Sequence, residues 1–265
     1  MDIIPGLSYF TGYESALHSA ALRGDTSAVD GINTRSGSYA YDLLGDPLML
    51  QPHIDTRTAD GATSLHIAAI FDHTAVAAKL LEKQADINAK DKYGNTSLIC
   101  AVQSGHADMA RLLLKNPKVD VEHVNFFQTN ALQTAAFCGQ LECVMLLLDF
   151  GASMSATGKN KNTALHCAAY TGRIEIVREL MTRGMRDSKD AHGLTARALA
   201  EIKDHTDVAA ILTFTAKSFA VGEHEPALTK AEELAANEAA PDSPVGMLGN
   251  MRRPMKAGSS GVPAL

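Results

Sequence analysis

The chain is expected to fold as an all-α solenoid of helix-turn-helix units joined by hairpin fingers, and three observations predict it. A short motif returns along the sequence: Ser15-Ala16-Leu17-His18, Thr63-Ser64-Leu65-His66, Thr96-Ser97-Leu98, Asn130-Ala131-Leu132 and Thr163-Ala164-Leu165-His166. Leu65, Leu98, Leu132 and Leu165 stand 33, 34 and 33 residues apart, and a fixed period of that length marks a stacked array. Seven residues after each leucine position comes a helix-stopping residue: Gly24, Asp72, Gly105, Gly139, Gly172 and, in the sixth unit, Asp204. Glycine suits the positive φ found just past a helix end, while aspartate adopts it less readily. The composition agrees: 46% apolar residues but only 5% aromatic, with no Trp, implies an aliphatic core.

Aligned on the leucine, the array divides into six repeats within residues 12–217, after an N-terminal extension at 1–11. Repeat one runs from Gly12 to Asn33. Leu17 and Leu65 are 48 residues apart, so an insertion follows, placed at 34–52. Tyr39, Tyr41, Leu43, Leu44, Leu48, Met49 and Leu50 make it apolar for a loop. It either covers repeat one as a lid or docks a partner; the lid is favoured, because repeat one has no outer neighbour.

Repeats two to six begin near Thr58, Asp91, Asn125, Lys159 and Asp190. In each, a Ser, Thr or Asn two residues before the leucine position fits a helix N-cap, its side chain accepting an unpaired backbone N–H. Leu165, Ala168 and Ala169 then share one helical face, Gly172 breaks it, and Ile176, Val177, Leu180 and Met181 mark a second helix. The pairs Ala20-Ala21, Ala68-Ala69, Ala135-Ala136 and Ala168-Ala169 are small enough for neighbouring helices to approach closely. In repeat six, Arg197 replaces the leucine, as the polar outer face of a terminal unit requires.

After Lys217 the composition shifts, and residues 218–265 read as a largely disordered tail. Five of the nine prolines fall between Pro226 and Pro263. Thr229-Lys230-Ala231-Glu232 is a capping-box pattern that opens one short helix at 229–239. From Pro241 on, Gly, Ser, Pro and Met dominate, too little to bury for stable order. Arg252-Arg253-Pro254-Met255-Lys256 is a weak basic cluster, read as solvated.

Thr63-Ser64-Leu65-His66-Ile67-Ala68-Ala69, followed by Leu80-Leu81 and Ala85-Asp86-Ile87-Asn88, resembles the ankyrin repeat. The resemblance spans Gly12 to Lys217. The proline that the family places after the threonine is absent from every unit. The resemblance implies a protein-binding scaffold that uses hairpin tips and the inner face of the first helices. It also implies that His18, His66 and His166 are structural hydrogen bonders, and that Asn88 matches a hairpin asparagine hydroxylated in similar proteins. The main role expected of Asn88 is a turn held by its own side chain.

The remaining chemistry is sparse. Net charge is −6 with pI near 5.9, which excludes general nucleic-acid binding. No stretch approaches 18 apolar residues, so no membrane insertion is expected. The acid in Met1-Asp2-Ile3-Ile4-Pro5 does not suit a signal peptide. Cys100, Cys138, Cys143 and Cys167 follow neither a disulfide framework nor metal spacing and fit free thiols in a reducing compartment. That points to cytoplasm, with nucleus or cilium also fitting. No phosphate loop, nucleophile elbow or metalloprotease helix is present in the sequence. The expectation is a non-enzyme with no cofactor and no bound metal.

Candidate partner-binding residues are the aromatics at positions the repeat leaves free. Tyr93, Phe126 and Phe127 fall at hairpin tips; Phe71, Phe137 and Tyr170 fall late in the first helices. Aromatics are enriched in interface hot spots. The expected function is an adaptor or scaffold holding one or more proteins. The alternative is a structural subunit of a large cytoskeletal, ciliary or organellar assembly whose neighbours order the tail.

Overall fold

A computed structural model describes residues 16–30 and 54–219. The expected extension at 1–11, the insertion at 34–52 and the tail helix at 229–239 lie outside them. The described residues form twelve α-helices and no strand. They pair as α1 (Ala16–Arg23) with α2 (Ser27–Asp30), α3 (Ser64–Ile70) with α4 (Thr74–Glu82), α5 (Ser97–Ser104) with α6 (Ala107–Leu114), α7 (Ala131–Cys138) with α8 (Leu141–Asp149), α9 (Ala164–Tyr170) with α10 (Ile174–Thr182), and α11 (Ala196–Ile202) with α12 (Thr206–Phe219). The first helices stack on one another in order, as do the second helices, giving two layers. α12 runs to Phe219, two residues past the expected end of the array.

The core lies between the layers. Leu17, Leu65, Leu98, Leu132 and Leu165 are fully buried, as are Ala69, Ala101, Ala136 and Ala169. Arg197, in the leucine's place, is exposed and pairs with Glu201 at 2.8 Å. The N-caps fall where expected. Thr96 Oγ1 accepts from the Ile99 N–H, Asn130 Oδ1 from Gln133 and Thr195 Oγ1 from Ala198.

The helix-stopping position has φ of 72° at Gly24, 83° at Gly105 and 59° at Asp72. Geometry alone does not select glycine there. A Cβ on Gly24 would lie 2.8 Å from His73 Nδ1 of the next repeat, so the glycine also makes room for a side chain laid across the seam.

Candidate protein-binding face

Each hairpin finger is a turn locked by its own backbone. Asp91 N–H donates to Asn95 O, Asn125 to Thr129 and Asp190 to Leu194. The first residue of the turn reinforces it. Asp91 Oδ1 accepts from the amides of Tyr93 and Asn95, each at 2.8 Å. Asn125 Oδ1 accepts from Phe127 and Thr129. Asp and Asn suit this place because a short side chain with an oxygen reaches its own backbone two residues on, although Thr58 and Gly158 open the equivalent turns of two other fingers. Adjacent fingers are then joined backbone to backbone: Lys92 N–H to Asp60 O, Phe126 N–H to Tyr93 O and Ala191 N–H to Asn160 O.

This frame sets the tip aromatics side by side. The Tyr93 and Phe127 rings stack with centroids 6.1 Å apart, and the Lys92 ammonium sits 5.0 Å from the Tyr93 centroid. Lys92 also pairs with Asp60, whose hydrogen bond holds the lysine pKa above its ordinary value. Phe126 lies against the backbone of Gly94, where a Cβ would come within 2.8 Å of the ring. Its outer side is open: Phe126 is 70% exposed and Tyr93 45%. Phe127 is half-buried.

The aromatics on the first helices separate into two kinds. Phe71 is 50% exposed and stacks on His73. Phe137, expected on the binding face, is buried at 6% exposure. That expectation is corrected by stacking: α9 brings Tyr170 over Phe137 at 6.5 Å. Tyr170 is half-buried and carries the Lys203 ammonium 4.6 Å from its centroid.

The histidines of the repeated motif are structural. The Thr63 N–H donates to His66 Nδ1 at 3.1 Å, and His66 Nε2–H donates to Asn95 O of the next repeat at 3.0 Å. His166 does the same with Thr163 and Leu194 O. In repeat four Gln133 stands in this place: its Oε1 accepts from Asn130 N–H and its Nε2 donates to Asn162 O at 2.7 Å. Burial pushes the His66 pKa below 6.5, which keeps Nδ1 free to accept.

Asn88 serves the next repeat rather than its own turn. Its Nδ2 donates to Lys118 O at 2.7 Å, and its Oδ1 accepts from Asp120 N–H at 2.9 Å. A set of seam residues was missed in the sequence: His73, His106 and His205 donate through Nε2 to the carbonyls of Leu22, Ile70 and Tyr170. The signal was present, since the residue after each helix stop is His, His, Gln140, Arg173 or His205 in repeats two to six. Among the described cysteines, burial pushes the thiols of Cys143 and Cys167 up to about 11 and about 12, and Cys100 higher still. They stay protonated near neutrality and are poor nucleophiles. Among the described residues no helix is long and apolar enough to cross a membrane.

Comparison with known proteins agrees with this architecture. The chain is 37% identical over 166 residues to a transient receptor potential cation channel subfamily A member 1 homolog of Caenorhabditis elegans, covering 61% of this chain and 14% of that protein. It is 33% identical over 140 residues to an ankyrin repeat protein of fowlpox virus, covering 51% of this chain and 96% of that one. It is 32% identical over 146 residues to the nuclear factor NF-kappa-B p105 subunit of Rattus norvegicus, covering 54% and 14%. The chain thus spans a small part of the first and third relatives. The family described as ankyrin repeats, whose members are generally protein–protein interaction modules and typically non-enzymatic, matches in three copies over residues 17–125, 115–189 and 132–220. With two stacked helical layers, hairpin fingers and this match, the chain belongs to the ankyrin-repeat family.

Proposed function

We propose that this protein is an adaptor or scaffold that captures a protein partner on its fingers, with Phe126 and Tyr93 as the central contacts. The observation that carries this reading is the exposure of Phe126 at a tip whose backbone is fixed. A large apolar ring held open on a rigid turn loses little conformational entropy on binding, and aromatic anchors of this kind dominate interface energetics. Phe127 stacks behind Tyr93 and steadies it. Phe71 extends the apolar surface onto the first-helix layer. Tyr170 contributes its uncovered edge, and the buried Phe137 supports it from below.

The test is affinity capture from native extract, comparing the full chain with a Phe126→Ala/Phe127→Ala variant. The reading expects partners recovered by the parent chain to be lost with the variant while the melting temperature changes little. Undiminished capture by a folded variant would move the binding surface elsewhere.

A further inference from the structure

The middle fingers carry a charge opposite to that of the chain. Net charge is −6 overall, yet Lys90 and Lys161, at the fingers of repeats three and five, are exposed and make no ion pair among the described residues. Lys92, also exposed, shares its ammonium between Asp60 and the Tyr93 ring. The three turns at 91–95, 125–129 and 158–162 hold one acid, Asp91, and it is spent on its own turn. Its Oδ1 holds the amides of Tyr93 and Asn95, and its Oδ2 accepts from Asn95 Nδ2 at 3.1 Å. On the approach to the repeat-four turn, Glu122 accepts from Ser153 N–H at 2.6 Å, and Asp120 lies 3.9 Å from His123 Nδ1. Lysines therefore bracket the open ring of Phe126, with repeat three on one side and repeat five on the other.

We propose, resting on the finger contact proposed above, that the captured segment is an extended acidic peptide. An apolar residue sits on Phe126 and Tyr93, and a carboxylate lies to each side, one against Lys90 and Lys92 and the other against Lys161. Charge complementarity selects this occupant: two cationic points flank an apolar ring, and no exposed acid of the turns themselves competes for them. The spacing follows from the stack. Packed helices stand about 8–10 Å apart, so the fingers of repeats three and five, two steps apart, are separated by roughly 16–20 Å. An extended peptide advances about 3.3 Å per residue, which places the two carboxylates about six positions apart with the apolar residue midway. Nucleic acid fits less well, because a long polyanion would meet the net negative charge of the chain beyond these few lysines.

Selection of displayed random dodecapeptides on the full chain tests this, followed by titration of the best peptide in solution. Enriched peptides should carry Asp or Glu about six positions apart with Leu, Phe or Tyr between them. Lys90→Glu/Lys161→Glu alters two exposed sites and leaves the helix stack intact. It should weaken the best acidic peptide about tenfold at low salt and enrich basic peptides instead. Peptides that need Phe126, carry no acids and bind the lysine variant unchanged would overturn the acidic partner and leave the finger contact standing. Acidic peptides indifferent to Phe126→Ala would overturn both. No enrichment, or displacement of the peptide by a single-stranded DNA oligonucleotide of equal charge at lower concentration, would also overturn the proposal.

Discussion

Replacing Phe126 by Ala separates binding from folding by size of effect. A phenylalanine buries about 200 Å² when fully enclosed. Phe126 is 70% exposed, so roughly 60 Å² is covered in the free chain. At about 25 cal/mol per Å², that contributes about 1.5 kcal/mol, an upper bound because the unfolded chain already hides part of its surface. For a chain of this size the melting temperature should fall by no more than about 5 °C. The remaining roughly 140 Å² becomes buried only in a complex and is worth about 3.5 kcal/mol, or roughly 300-fold in affinity. Leu132→Ala is the control, since Leu132 is only 2% exposed and its truncation should cost about 2–5 kcal/mol. Differential scanning calorimetry and titration with a captured partner read both quantities. If Phe126→Ala melts as far below the parent as Leu132→Ala and still binds, the ring is part of the core and the exposure argument is wrong.

Three further outcomes follow from the seams. His66 has a folded pKa below 6.5, so the folded state resists the proton that the unfolded chain accepts. Its share of stability is whole above pH 6.5 and is lost as pH falls through 6.5 toward the folded value. His66→Gln, copying Gln133, should fold and flatten that part of the pH dependence in denaturant melts; an unaltered profile would discount His66. Asn88→Ala removes both bonds to the next hairpin, at Lys118 and Asp120, and should cost about 1–3 kcal/mol with faster amide exchange at 116–121. No loss of stability would mean water replaces both contacts. Gly105→Ala forces an L-residue to φ near 83° at a cost of about 1–2 kcal/mol, readable as a lower urea midpoint with the slope unchanged.

The repeat made most of the fold legible because its signals are local. Thr96, Leu98 and Gly105 each do their work within one turn of their own helix, and even Asp72 and Asp204 were placed correctly in the left-handed region by phase alone. The candidate site was less legible because exposure depends on the neighbouring repeat. Phase alone puts Phe71 and Phe137 at the same place late in a first helix, yet one is half exposed and the other is roofed by Tyr170, 33 residues later. His73 is 51 residues from its acceptor Leu22, so no local pattern announces the bond. Asn88 was read as a turn former for the same reason: its partners belong to the next unit.

The seam between the first two repeats has a practical meaning. His18 donates to Thr56 O at 2.8 Å, His73 to Leu22 O at 3.1 Å, and Lys79 and Lys83 both hold Asp30. The described residues on either side of positions 31–53 are therefore tied across the seam by four bonds of their own. Closing a longer connection costs only about 0.6 kcal/mol per doubling of its length. These four bonds give the first seam a register set by described residues, so a change in the length of the connection between Asp30 and Ile54 would by itself cost little.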